Sequence, residues 1–365
     1  MKKDKQSFSK FKVGSVANPL SVKVKKTIPK YNGVTILYPS RLNAMAIDPS
    51  KIVISKNKRY APGEIIIKIK LYKKARIKII PNSSLIKISN RSKRPSLIMH
   101  AAILMRKALG NNCGLFIDVD NSSEIIHAGL GSSSGLIAVV ANAINELFGK
   151  PLNADILASY LAQNHGEEIY GDEHNLVPVQ CIGGSALGGQ HEGALQIIAG
   201  ASKVIASANI DPGYKVIIGI PMDFQELDAE VLFKKEVKNF PKFIKCGLKF
   251  GPAITYRLVH EAMPALVSND IIPIGNLIYD YRFKMGSINN CSYTYRGLNK
   301  IARSISIIKS SGLADILALS SVGPAFFAIT KKSKDCIRIF EKNNLRVHIT
   351  DVENGRYKII WRSKK

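Results

Sequence analysis

One run of residues could bind an anion by its types and spacing alone: His127-Ala128-Gly129-Leu130-Gly131-Ser132-Ser133-Ser134-Gly135. Glycine lets the backbone take positive φ and approach a ligand closely. A helix is expected to begin directly after, and the free amides of a helix N-terminus point at an anion, aided by the dipole. The hydroxyls of Ser132, Ser133 and Ser134 can donate to phosphate oxygens, and that of Ser132 can complete a magnesium shell. Phosphate binding is therefore expected of Gly129, Leu130, Gly131, Ser132, Ser133 and Ser134. A plain turn with one serine as N-cap is the simpler alternative, but a cap needs one serine, not three framed by three glycines. The run is neither a Walker loop, since it has no Gly-Lys-Ser/Thr, nor a G-x-G-x-x-G fingerprint.

Other residues could complete such a site. Arg41, after Ser40, offers a fork for phosphate or carboxylate, or else a surface ion pair. Asp48 could bind a ribose hydroxyl or act as a base, or else merely shape the turn before Pro49. Ser320 and Ser321, with Gly323-Pro324, form a tight loop that can present amides and hydroxyls to a substrate, or a plain strand-ending turn. His165, Glu167, Glu168, Asp172, Glu173 and His174 are dense in titratable groups. Acid–base chemistry there would fall to His174 and magnesium binding to Glu168. The alternative is a solvated acidic loop, and no recognised zinc spacing is present. A second glycine loop, 183–189, should bring Gly184 and Ser185 to the same cleft.

These groups need elements to hold them. Strands are expected at 34–38, 64–71, 75–80 and 114–119, with helices at 96–109, 133–148 and 153–163. Residues 165–190 lack periodicity and read as a long loop. Strands at 194–199 and 215–220 precede helices at 250–266, 270–284 and 293–311. Strands at 316–320, 326–330 and 346–350 and a helix at 334–343 complete an α+β chain. It divides into a basic arm at 1–30, a mobile or loosely attached edge segment, then domains at 31–215 and 216–365.

The 365 residues allow a substantial core, and no apolar run reaches the ~18 residues of a membrane span. The N-terminus is basic without an apolar stretch, so no secretory signal is expected. Five dispersed cysteines without a C-x-x-C pair point to reduced thiols and a cytoplasmic setting. Lys and Arg number 53 against 27 Asp and Glu, a net charge of +26. The lysines are not interleaved with aromatic residues as in a stacking platform. The excess is read as a solvated basic face suited to phosphorylated substrates, not as a nucleic-acid surface, and it leaves a homodimer open.

The run Gly129–Ser134 resembles the phosphate loop of the GHMP kinase superfamily, and one branch fits further. Pro39-Ser40-Arg41-Leu42 with Ile47-Asp48, His127 before the loop, Met263-Pro264-Ala265-Leu266 with Asp270 and Gly275, and Ser320-Ser321-Val322-Gly323-Pro324-Ala325-Phe326-Phe327 resemble the beta-ribofuranosylaminobenzene 5'-phosphate synthases and related C-nucleoside synthases. The resemblance implies a first half like domain 2 of ribosomal protein S5 and a ferredoxin-like second half. It implies a transferase that couples phosphoribosyl diphosphate to an aromatic carboxylic acid, losing carbon dioxide and diphosphate, with magnesium accompanying the diphosphate. Arg41 and Asp48 would be catalytic, with His174 added from the titratable cluster; Ser40, Gly184, Ser185, Ser320, Ser321 and Gly323 would hold substrate. Where those synthases read GSGTQ, this chain has the more kinase-like Ser132-Ser133-Ser134-Gly135, so an ATP-dependent small-molecule kinase stays open. Where such kinases carry an Asp base this chain offers Asn175, whose amide cannot remove a proton. A non-catalytic binding protein of the same fold is the third reading.

Overall fold

The computed structural model describes residues 9–22, 26–52, 62–121, 125–200 and 202–364. Its strands are β1 (Phe11–Lys12), β2 (Tyr31–Ala46), β3 (Glu64–Ile80), β4 (Ile86–Ile88), β5 (Gly114–Asp120), β6 (Gly166–Ile169), β7 (Asp172–Pro178), β8 (Leu195–Ala199), β9 (Lys203–Ala208), β10 (Lys215–Pro221), β11 (Ile316–Leu319), β12 (Phe326–Thr330), β13 (Leu345–Asp351) and β14 (Lys358–Lys364). The helices that bear on the site are α1 (Pro95–Leu109), α2 (Ser132–Leu147), α3 (Ala154–Gln163), α4 (Gly184–Gly188) and α5 (Ala229–Arg257).

The first half is built on the long β2–β3 pair. β14, β2, β3, β5 and β4 lie side by side, and β8 and β9 extend the other end of β3. Valines and isoleucines alternate inward on β2 and β3, and with α1, α2 and α3 they close one core. β2 does not stay in that core. Val34, Ile36 and Tyr38 belong to it, whereas Leu42, Ala44 and Met45 belong to a second core shared with β10, β11 and β12. Irregularities in the β2–β3 register fall at Pro39/Ser40 and Asn43/Met45. Bulges re-aim side chains in this way, and here they bracket Arg41.

The second half has the sheet order β11-β12-β10-β13, all antiparallel, with α5 and later helices between β10 and β11 and the helix Ser333–Lys342 between β12 and β13. This is the ferredoxin-like arrangement. Val216 and Ile218 face the second core while Ile217 faces a third, under the helices. Burial on both faces explains why β10 reads as an unbroken apolar run.

The structure departs from the sequence expectations in four places. β14 returns to the first half and pairs with β2, so the 216–365 segment supplies a strand to both halves. The expected helix at 250 is the end of a 29-residue helix, α5, which carries Pro241 and Pro252 inside it. Those prolines are why its first two-thirds escape a helix reading. The expected loop at 165–190 contains the β6–β7 hairpin and α4.

The fourth departure is from the mobile reading of the basic arm. Of its described parts, 9–22 and 26–30, the first follows the other reading, an attached edge segment: Phe11 and Lys12 pair with Leu176 and Asn175. The amide of Gly14 donates to His100 Nδ1 at 2.9 Å, and those of Ala17 and Asn18 donate to Asn164 Oδ1. Residues 1–8 and 23–25, with most of the arm's lysines, and residues 53–61 of the lysine-rich stretch before β3 lie outside the described residues.

Phe11 lies against Gly166 and Leu176 and beside the His100 ring. Phe11→Ala should cost about 2 kcal/mol in urea unfolding, whereas an unattached arm would show no change.

Candidate functional site

The phosphate-loop run folds as its residue types require. Gly129 and Gly131 sit at φ +88 and +67, and α2 starts at Ser132 with no side-chain cap. The first amides of α2 are therefore open toward a cleft of about 230 Å³. Gly129 has a second reason to be glycine: an added Cβ would lie 2.4 Å from the Ser320 carbonyl oxygen.

Arg41 lies against this loop. Its guanidinium carbon would be 3.3 Å from a Cβ added at Gly131. Its Nε and Nη1 are buried and have no hydrogen-bond partner. An unpaired buried guanidinium is costly, and an anion between it and the α2 N-terminus would satisfy both.

Behind the loop is a bank of ion pairs. Arg94, buried, donates to Ser133 Oγ at 2.7 Å, to Glu167 at 3.3 Å and to Glu168. His165 Nε2 lies 3.5 Å from Glu167. Burial alone would raise the Glu167 carboxyl, but His165, Arg94 and His127 outweigh it and bring it to about 2. His127, at φ +55, faces Glu226 at 3.9 Å.

The opposite wall is α5. Leu232, Phe233 and Phe243 line the cleft there, and Ile52 and Val322 add to its apolar lining. Glu236 stands among them, and burial followed by the Glu167 charge pushes its carboxyl up to about 7. α5 is set close by Gly247, where an added Cβ would lie 2.1 Å from the Ser50 amide nitrogen.

Residues 96–184, from α1 through the phosphate loop to α4, match the family described as GHMP kinases N terminal domain. The segment is similar to a GHMP kinase N-terminal domain. A curated relative, the beta-ribofuranosylphenol 5'-phosphate synthase of Archaeoglobus fulgidus, is 25% identical over 230 residues, covering 60% of this chain and 66% of that protein. Among solved structures, the GHMP fold is shared with L. major mevalonate kinase in complex with R-mevalonate (13% identity, TM-score 0.60, 90% and 99% of the two chains). It is shared also with mevalonate diphosphate decarboxylase from Staphylococcus aureus (15%, 0.59, 90% and 98%) and homoserine kinase from Cytophaga hutchinsonii (12%, 0.56, 94% and 100%). At these identities the likeness concerns the fold alone.

Within this GHMP frame, the structure sorts the residues singled out by sequence. Arg41, Gly129, Gly131, Ser132, Ser133, Ser134, Ser321 and Gly323 line one cleft. Ser185 reaches it through its hydroxyl, 2.7 Å from Ser134 Oγ, and Gly184 uses its amide to hold Glu64. Leu130 packs against the second core, leaving its backbone to the loop.

Five residues fall elsewhere. Ser320 is fully buried, donates to the Gly129 carbonyl at 2.7 Å and accepts from the Asn43 amide, so its hydroxyl clamps the loop instead of gripping a substrate. Ser40 accepts from Lys73 Nζ at 3.1 Å, on the inner side of β2. Asp48 caps the Pro49–Lys51 turn through Ser50, so the turn reading holds. His174 is exposed beside Lys12 and α1, away from the cleft, because β7 pairs with β1 there. Glu168 is committed to Arg94, not to a metal.

Asn175, at the place of a kinase base, bonds Asp172 and does not line the cleft. The cleft's own histidines are His127 and His165. Glu236 had no signal in the sequence, because nothing local links it to a loop over a hundred residues earlier.

Two of the cleft carboxyls should act oppositely on stability. Glu167 is held below its unfolded value of ~4.3, so its contribution is complete above that value and lost as pH falls through about 2. Glu236 is held above, so its contribution is complete below ~4.3 and lost as pH rises through about 7. Glu236→Gln should therefore raise the melting temperature at pH 8 and leave it unchanged at pH 4, while Glu167→Gln should lower it at pH 7. Equal shifts for Glu236→Gln at both pH values would contradict this.

Proposed function

We propose that the protein is a phosphoribosyl-transferring synthase that couples phosphoribosyl diphosphate to an aromatic carboxylic acid, releasing carbon dioxide and diphosphate. The observation that carries the reading is the unpaired Arg41 guanidinium lying over Gly131 at the open N-terminus of α2. The A. fulgidus relative, named for a ribofuranosylphenol 5'-phosphate product, supports the reaction class.

The cleft's two ends suit the two substrates. At the loop end, the amides of α2 and Arg41 would take the charge that develops on the departing diphosphate, from fixed positions and with little reorganisation. At the other end, Ile52, Leu232, Phe233, Phe243 and Val322 offer an aromatic ring a water-poor wall. Holding the ring carbon against the sugar's anomeric carbon would supply much of the rate.

Among the described residues, no three His, Cys, Asp or Glu side chains converge as metal ligands. The carboxylates of Glu64, Glu167 and Glu168 are engaged by Asn43 and Gly184, by His165 and Arg94, and by Arg94 respectively. Glu236 remains, without further ligands converging on it, so the donor set does not fit a resident ion. Magnesium enters as the counter-ion of the polyphosphate, with the Ser132 hydroxyl as the available donor in the loop. The reading places the enzyme in the cytoplasm.

The kinase reading retains one specific observation, the three consecutive serines at the start of α2. Thermal stabilisation with magnesium separates the two. Phosphoribosyl diphosphate should raise the melting temperature and ATP should not. Arg41→Gln should abolish the shift while leaving the free protein as stable or more so, since a buried unpaired charge is removed. A shift with ATP alone would overturn the synthase reading in favour of the kinase.

A further inference from the structure

The cleft contains a carboxylate that the fold does not use. The Glu236 carboxylate makes no hydrogen bond or ion pair among the described residues. Even half-burying a carboxylate without a partner is unfavourable, and a fold that keeps one in a cleft keeps it at the expense of stability.

Its surroundings define what it could do. Glu167 faces it from β6, and Cys291 and Tyr293 face it from the segment after the Ser287–Asn290 turn. Burial keeps both of these uncharged: the Cys291 thiol is pushed up to about 12 and the Tyr293 hydroxyl well above its ordinary value. The Tyr293 hydroxyl is itself buried without a hydrogen-bond partner. Of the cleft's cations, Arg41 is at the loop, and the histidines His127 and His165 act on Glu167. Arg282 is spent on the carbonyls of Asn43, Ala44 and Ser321 and on Ser287 Oγ. No positive charge is therefore assigned to Glu236, and its carboxyl, held up to about 7, can take and return a proton near neutral pH. One helical turn before it Leu232 and Phe233, and two turns after it Phe243, present apolar surface to the same space.

We infer that Glu236 is the proton acceptor for an aromatic acceptor bearing an ionisable O–H conjugated with its reacting ring carbon, seated at the apolar end of the cleft; this rests on the synthase reading above. The step balances without an oxidant or reductant. The Glu236 carboxylate takes the O–H proton, and the oxygen's electron pair moves into the ring. The ring carbon bearing the carboxylate bonds to the sugar's anomeric carbon, while the bond from that carbon to diphosphate breaks and its pair leaves with diphosphate. The carbon–carboxylate bond then breaks, carbon dioxide departs, and its electrons restore the aromatic ring. The proton returns from Glu236 to the product oxygen.

The test uses the full chain with magnesium, phosphoribosyl diphosphate and a para-hydroxybenzoate, reading carbon dioxide release against pH. Glu236→Gln should lower kcat by about 100-fold or more and erase the acid limb of the profile. The phosphoribosyl diphosphate KM and thermal shift should be unchanged, and Glu236→Asp should keep part of the rate. With ring-fluorinated acceptors, already ionised at the assay pH, the loss in Glu236→Gln should shrink toward none, which a merely structural role would not produce. A wild-type kcat in Glu236→Gln, or a loss equal for all acceptors, would overturn the assignment while leaving the synthase reading in place. A wild-type protein that neither binds phosphoribosyl diphosphate nor releases carbon dioxide would take both down.

Discussion

The site depends on a contact in which there is no room for a side chain: the backbone of Gly129 against the carbonyl of Ser320. The buried Ser320 hydroxyl joins Gly129 to Asn43, the Ser321 amide donates to the Asn43 carbonyl, and the Ala325 amide donates to that of Ala128. A loop from the first half, a turn from the second and the bulged stretch of β2 thus form one hydrogen-bonded knot. Buried backbone groups must be paired, so these three segments cannot drift independently. Arg282 reinforces the knot from below by donating to Asn43, Ala44 and Ser321. The open end of α2 and the Arg41 guanidinium keep their places because the knot does.

Charge is partitioned around this knot. The loop side carries positive potential from α2 and Arg41. Of the carboxylates around it, those of Glu167 and Glu168 are neutralised by the buried Arg94, which also holds Ser133, and that of Glu64 is held by Asn43 and Gly184. Without that neutralisation two carboxylates would face an incoming anion. The far wall, α5, is apolar apart from Glu236, which meets no cation. A cleft that offers both a cationic loop and an apolar helix wall suits a ligand with polyphosphate at the loop and a ring at α5, and that pairing is the physical basis of the function proposed.

Several parts of this were legible in the residues themselves. The glycine and serine run stood out because positive φ and an anion-binding helix start demand those residue types locally. Strands β5, β10 and β12 and helices α1 to α3 were visible through apolar periodicity, whereas β2 was legible only up to Pro39 and the single strand β3 read as two. The Ser320–Pro324 turn was seen, but as a substrate grip; only its burial against Gly129 shows that its hydroxyl is already used. Asp48 and His174 looked catalytic by type, yet one caps a turn and the other faces outward where β7 meets β1. The two prolines of α5 hid a wall of the cleft, and the charged, partly exposed strand β14 gave no hint of its return to β2.

What the sequence determined alone is therefore what short-range physics dictates: a phosphate-type loop entering a helix, a basic chain with substantial apolar runs, and an α+β order of elements. What only the tertiary structure decided is which titratable groups share a space. Arg41, Arg94, Glu167, Glu236 and Ser320 lie on five separate stretches of chain, and whether each is paired, buried or free depends on neighbours far away in sequence. Burial and charge pairing are long-range properties, and they separate a carboxylate locked to Arg94 from one left without a partner in the cleft.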